Sequence, residues 1–325
     1  MNTIEAEPKG TLERVEHRSR KTPPMWLVLS AFAAVYVIWG STYLGIHIAI
    51  QSIPPLLMAG CRSLLAGGIL YVIMRLRGEA RPSAFHWGNA AVIGALLLLG
   101  GNGGVSWAQQ TVPSSIAALM VAATPLWMIL IDWLRPAGKR PHFLTFVGLF
   151  VGFAGVAAIV TSRDNLGHRV ISLVGACVLL LATVSWAFGS VFSRYARQPK
   201  SALLAIAMQM ITGGAALVVV GLAMGEMTNF HVAQITRASA IAFVYLTLFG
   251  SLVGFTAYVW LLQVSTPARV STYAYVNPLI AVILGRLILD EPLPRSVVLA
   301  GGLILVAVIL ITQRKGKAPA PTRHR

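Results

Sequence analysis

The chain has 325 residues, of which 56% are hydrophobic and only 11% charged, with 26 Lys and Arg against 10 Asp and Glu and a net charge of +16. Nine of the charges lie in residues 1–24 and five in residues 314–325, so the body between them is far poorer in charge than a soluble domain, where roughly one residue in four is charged. Such a body cannot cover its own surface in water. This excludes a soluble globular protein, a disordered chain and a secreted disulfide scaffold, and leaves an integral membrane protein.

In chain order, a polar tail at 1–25 is followed by ten apolar runs of about the 20 residues that cross the hydrocarbon. They are 26–48, 55–75, 88–109, 114–134, 142–161, 171–192, 202–223, 238–262, 271–289 and 296–313. A basic tail at 314–325 closes the chain. The breaks carry turn chemistry, as in Ser52-Ile53-Pro54-Pro55, Val112-Pro113-Ser114 and Glu291-Pro292-Leu293-Pro294. The runs do not alternate with period two, which argues against an outer-membrane barrel and for an all-α fold of ten transmembrane helices. The polar start and the length of the first apolar run do not read as a cleavable signal peptide.

Basic residues sit at the tails and in short gaps rather than in a patch, so the positive charge reflects the positive-inside bias and not nucleic-acid binding. With the N-terminus inside, the inner segments hold 20 Lys and Arg and the outer ones hold 5, namely Arg163, Arg169, Arg237, Arg286 and Arg295. Both termini are therefore expected in the cytoplasm. Cys61 and Cys177 fall inside apolar runs without metal-ligand spacing, and are expected as small buried apolar residues. No metal or cofactor is expected.

An internal repeat is the most specific pattern. At an offset of 153 residues, Gly101, Trp107, Gln110, Pro125, Pro141 and Gly148 match Gly254, Trp260, Gln263, Pro278, Pro294 and Gly301. Trp39 before Gly40-Ser41 matches Trp186 two residues further before Gly189-Ser190. Five spans per unit is odd, so the second unit enters from the opposite face, giving two inverted five-helix repeats at 26–161 and 171–313. Inverted repeats mark secondary transporters, whose site lies between the halves.

Trp39-Gly40-Ser41-Thr42, Ala59-Gly60-Cys61-Arg62-Ser63, Gly101-Asn102-Gly103-Gly104, Ser185-Trp186-Ala187-Phe188-Gly189-Ser190 and Tyr273-Ala274-Tyr275-Val276-Asn277-Pro278 carry a family likeness. Over roughly residues 26–313 the chain resembles the EamA family of the drug/metabolite transporter superfamily, in its YedA-like branch. The resemblance implies a ten-helix carrier in a bacterial inner membrane that moves amino acids or similar small metabolites, commonly outward. The Leu-Gly-Glu element that ends two spans in many members survives here only as Asp290-Glu291, and is read as lying outside the pathway.

Arg62 stands about 12 Å into its span. An Arg near the bilayer centre costs roughly 2.5–3.5 kcal/mol on insertion scales, so it either serves a cavity, binding a carboxylate or organising the bundle, or snorkels to span-end carbonyls. Trp39, Trp107, Trp186 and Trp260 avoid the terminal turns where membrane-belt Trp sits. With Tyr273 and Tyr275 they read as an aromatic cavity lining or as helix packing. Ser41, Asn102, Gln110, Ser190, Gln209 and Asn277 add uncharged donors and acceptors to the candidate cavity. Pro125 and Pro278 are candidate helix bends. Asp132 reads first as an ion pair with Arg135 and second as a proton-linked group, and His47 as an interfacial or proton-linked histidine. Gly148, Gly152 and Gly155 allow close packing, within the chain or in a homodimer through span five or ten.

The expected function is a secondary transporter and not an enzyme. The lipid bilayer and a small-molecule substrate are its partners, and nucleic acid is not. An intramembrane lipid-modifying enzyme or a channel is the alternative. The first lacks convergent acid–base groups and the second a charged ring. Reporter fusions after Thr161 and after Thr312 are expected to report opposite sides of the membrane. Signals from the same side would remove both the topology and the inverted repeat.

Overall fold

The computed structural model describes residues 23–134, 143–161, 172–228, 230–265 and 273–313, and among them there is helix and no strand. The helices are α1 (Met25–Ala49), α2 (Pro55–Leu76), α3 (Ala84–Ala108), α4 (Ser114–Leu134), α5 (Phe143–Thr161), α6 (Leu173–Ser193), α7 (Ala202–Ala223), α8 (from Arg237 to Val264), α9 (Tyr273–Leu289) and α10 (Arg295–Gln313). Seven of these, α1–α4 and α6–α8, are long and apolar enough to cross a membrane. The apolar stretches of α5, α9 and α10 are shorter, at Phe146–Gly155, Val276–Leu289 and Arg295–Ala307. Leu65, Val72, Leu181, Val219, Ile241 and Leu299 are exposed on the outside of the bundle, as a body solvated by lipid requires. Cys61 and Cys177 are exposed as well, against the expectation of burial. An apolar outer surface suits a thiol as well as a core does when the solvent is lipid.

Local sequence sets the helix starts. Pro54 precedes α2, whose first residue is Pro55, where a missing N–H leaves nothing unsatisfied. Ser83 accepts from His86 N–H while His86 Nδ1 accepts from Ser83 N–H, closing a capping box on α3. Ser172, Ser201 and Thr236 cap α6, α7 and α8 through their hydroxyls.

The helices pack in pairs: α2 on α7, α5 on α10, α1 against α8 and α9, α6 against α3 and α4, and α4 on α9. Small residues set the closest approaches. A Cβ on Gly60 would stand 3.0 Å from the Gly214 carbonyl oxygen, and a Cβ on Gly214 would stand 3.0 Å from that of Gly60. Any side chain there would force α2 off α7. Gly152 of α5 faces Leu126 and Ala307, and Gly155 faces the backbone of Ala300, so these two glycines serve packing within the chain.

Three helices end in the same way. After α2, α7 and α9 the backbone turns left-handed at Gly78 (φ 84°), Gly225 (φ 76°) and Asp290 (φ 49°). The next residue is Glu in each case. Its N–H returns to the helix, from Glu79 to Met74 O, Glu226 to Gly221 O and Glu291 to Gly285 O, satisfying carbonyls that the helix end leaves free. Two of the three carboxylates reach another helix. Glu226 accepts from the N–H groups of Leu56 and Leu57 at the start of α2. Glu291 accepts from the N–H and hydroxyl groups of both Ser114 and Ser115 at the start of α4. Both sites pair a negative charge with the positive end of a helix dipole.

Burial opposes the charge on Glu291, but the hydrogen bonds from Ser115 and Ser114 outweigh it and hold the carboxyl below its ordinary range. Its contribution to stability is therefore complete above the ordinary carboxylate range and is lost as pH falls through the depressed value. Glu291→Gln should lower the unfolding free energy in detergent by about 1.5–3 kcal/mol, the scale of a hydrogen bond to a charged group. It should also flatten the acid limb of the stability profile. An unchanged acid limb in thermal unfolding from pH 3 to 7 would show that the carboxylate contributes nothing there.

Candidate substrate cavity

Two helices depart from α geometry at corresponding places. α3 is π-helical over Ala95–Gly103 and α8 over Leu246–Val253. Such stretches free backbone groups that neighbouring helices must satisfy inside a membrane. α1 and α6 do so. Trp39 Nε1 donates to Gly250 O in the π stretch of α8 (3.2 Å), and Ser185 Oγ donates to Leu96 O in that of α3 (2.7 Å).

The two tryptophans need room beside these stretches, and glycine gives it. A Cβ on Gly254 would lie 2.5 Å from Trp39 Nε1, and a Cβ on Gly101 would lie 2.8 Å from Trp186 Cε3. These are the glycines matched at an offset of 153 and the tryptophans that precede the Gly-Ser pairs matched at 149. Trp39 thus rests on Gly254 as Trp186 rests on Gly101.

Between these contacts lies a cavity of about 120 Å³. That is close to the roughly 150 Å³ of an apolar cavity that admits benzene. Its wall holds Trp39, Thr42 and Tyr43 of α1, Arg62 of α2, Gly101, Asn102 and Val105 of α3, and Ala118, Val121, Ala122, Thr124 and Pro125 of α4. From the other half come Ala182, Thr183 and Trp186 of α6, Gly250 and Phe255 of α8, and Tyr273, Asn277 and Pro278 of α9.

Arg62 is only 3% exposed. Its Nη2 donates to Asn102 Oδ1 and its Nη1 to Ser251 Oγ at 3.3 Å, while its Nε–H is buried without a partner. Asn102 and Ser251 lie in the π stretches of α3 and α8 respectively. Arg62 therefore ties together one irregular turn from each half.

Part of the wall is aromatic. Trp39 meets Phe255, Tyr258 and Tyr273 with ring centroids 5.3, 5.0 and 5.4 Å apart, the Phe255 and Tyr273 rings edge-on. Asn277, with its amide turned to donate, reaches the carbonyls of Tyr36 and Tyr273 at 3.2 Å.

Of the residues singled out in the sequence, Trp39, Arg62, Asn102, Trp186, Tyr273, Asn277, Pro125 and Pro278 meet in this wall. α4 breaks between Val121 and Thr124, just before Pro125, and Pro278 lies inside α9. Others stand apart from it. Ser41 shares a 2.5 Å hydrogen bond with the Tyr245 hydroxyl, Ser190 donates to Trp186 O, and Gln209 donates to Gln198. Gln110 is exposed and donates to Trp107 O, while Trp107 packs in the apolar cluster that holds Phe255, and Trp260 in the one that holds Trp39 and Tyr273, neither of them lining the cavity itself.

His47 meets Gln51 at the end of α1, and Asp132 lies in the last turn of α4. Its expected partner Arg135, the side chain of Tyr275 and both tails fall outside the described residues. The sequence reading missed Thr42, Tyr43, Thr183 and Phe255. The repeat held one clue, because Phe255 stands at the position matched to Asn102. The cavity is polar on one side and aromatic at the corresponding place on the other.

The EamA-like transporter family matches this chain twice, over residues 25–161 and 173–313. The chain is 39% identical over 304 residues to YedA of Escherichia coli (strain K12), described as an uncharacterized inner membrane transporter, covering 93% of this chain and 95% of that one. It is 28% identical to the uncharacterized transporter YvbV of Bacillus subtilis (strain 168), covering 88% and 91%. It is 24% identical to a probable amino-acid metabolite efflux pump of Escherichia coli (strain K12), covering 85% and 91%. A crystal structure 19% identical in sequence superposes with a TM-score of 0.60, covering 89% of this chain and 98% of that one, and shares the fold. A helical membrane body, a cavity walled from both halves and two matches to one family agree: the chain belongs to the EamA-like transporter family.

Proposed function

We propose that this chain is a secondary carrier that exports amino acids or similar small amphipathic metabolites by alternating access through the cavity around Arg62 and Trp39. On this reading ten helices span a bacterial inner membrane as two inverted repeats, 26–161 and 171–313, with both termini in the cytoplasm. The observation that carries it is the wall itself, built from both halves with Trp39 on Gly254 answering Trp186 on Gly101. The helix pairing supports the repeat. Exchanging α1–α5 with α6–α10 turns each main pairing into another of the same set or into itself. Sites between inverted repeats are where such carriers bind.

Among the described residues the cavity wall holds no carboxylate and no histidine. A lipid-modifying enzyme would need such groups for proton transfer. The same lack bears on energy coupling, since proton drive usually runs through an acid or histidine held inside the membrane. The binding and rocking cycle is accordingly expected to run without a proton gradient.

The test is counterflow in proteoliposomes of the purified protein, preloaded with unlabelled amino acids and offered each labelled amino acid in turn. Saturable, exchange-stimulated uptake that persists with ΔpH and membrane potential collapsed is the expected result. Unsaturable flux would favour a channel. Altered lipid headgroups without flux would favour an enzyme. Counterflow that needs a gradient and is uncoupled by Asp132→Asn would make Asp132 the proton site.

A further inference from the structure

We infer that Arg62 is the anchor for an anionic group on the transported solute, and that the solute class is a monocarboxylate with a small apolar body, amino acids included. This rests on the carrier reading and deepens it. A buried guanidinium needs a compensating charge, and the groups that hold Arg62 are neutral, Asn102 and Ser251. No carboxylate lies within ion-pair distance of it among the described residues. Its Nε–H is unpartnered in a side chain 3% exposed that lines the cavity.

A carboxylate docked on the guanidinium can take two N–H groups at once, the two-point geometry that favours Arg over Lys. In the same cavity the Trp39, Phe255 and Tyr273 rings offer apolar lining for the rest of the solute. The volume of about 120 Å³ sets the size of that body near a six-carbon group. Because Asn102 and Ser251 belong to opposite halves, an anion on Arg62 touches the joint between them.

The test uses purified protein in detergent and intrinsic fluorescence, with Trp39 and Trp186 in the cavity wall as reporters. The probes are butanoate, pentanoate and hexanoate beside butylamine, pentylamine and hexylamine. The carboxylates should bind and the amines should not. Arg62→Gln should weaken the carboxylates by roughly 10–100-fold, with Arg62→Lys in between. Equal binding of acids and amines by the wild type, or silence from all three acids, overturns the inference without needing any variant to fold. Counterflow of amino acids that continues unchanged in Arg62→Gln would overturn the anchor while leaving the carrier reading intact.

A second, independent observation concerns the helix endings. The Gly78-Glu79 ending of α2 stands where the repeat places a twin of Gly225-Glu226 at the end of α7. α2 and α7 lie antiparallel across Gly60 and Gly214. Glu226 closes on the start of α2, whereas no group among the described residues is seen to donate to the Glu79 carboxylate. The matching donors for Glu79 are Leu203 and Leu204 at the start of α7. There Leu204 N–H reaches only the Ser201 hydroxyl, at 3.4 Å.

The geometry points to an exchange of caps, also within the carrier reading. Glu226 on α2 holds one end of the pair closed in the state described, and Glu79 on α7 closes the other end in the opposite state. The test places a single cysteine at Thr183 in the cavity, with Cys61 and Cys177 replaced by Ser, and labels from each side with an impermeant thiol reagent. Glu226→Gln should raise labelling from the side of the α2 start several-fold, and Glu79→Gln should raise it from the other side. Glu79→Asp should lie between. Labelling that Glu79→Gln leaves unchanged from both sides, in protein that elutes as wild type, rules out the exchange.

Discussion

A permanent positive charge inside an apolar bundle constrains everything around it. Arg62 cannot be neutralised at physiological pH, and moving it toward the bilayer centre costs several kcal/mol by itself. The bundle meets this by bringing Asn102 and Ser251 to its two terminal nitrogens from different helices. Both partners lie where α3 and α8 leave α-helical geometry. The irregular backbone and the buried charge therefore form one arrangement. The π stretches bring polar groups to the cavity, and the cavity tolerates the π stretches because their freed carbonyls find Trp39 and Ser185.

Glycine placement keeps that arrangement compact. Gly254 and Gly101 let indole rings lie against the π stretches, and Gly60 and Gly214 bring α2 onto α7 so that Arg62 lies within the bundle. In lipid the apolar solvent offers little drive for helix association, so close backbone approach and internal hydrogen bonds carry more of it. Glu226 and Glu291 act at the helix ends in the same spirit. Each meets N–H groups that a helix start leaves open, and each does so on a different helix from its own.

Much of this is legible along the chain. Low charge, long apolar runs and the basic tails define a membrane body, and the offset of 153 alone pairs Gly101 with Gly254. Arg62, Asn102, Trp39 and Trp186 stand out because each residue type is expensive or unusual at depth. Gln110, Ser190, Gln209 and Trp260 look alike by the same criteria and yet do not line the cavity. In a helix that is apolar on every side, hydrophobic periodicity no longer tells which face looks inward. The polar groups of Ser190 and Gln209 are satisfied locally or by one neighbour, a solution that composition does not distinguish from a cavity lining.

Counts, run lengths and matched residues along the chain are enough to define the class of solvent, the helical build and the family. Which helix faces meet, the π-helical turns of α3 and α8, and the closing of Glu291 on Ser114 and Ser115 appear only in the packed bundle. The reason is physical. Residues 62, 102 and 251 are remote in the chain, and their hydrogen bonds exist only once the two halves have packed. Nothing in a local pattern records how far a helix must rotate to bring a guanidinium to an amide.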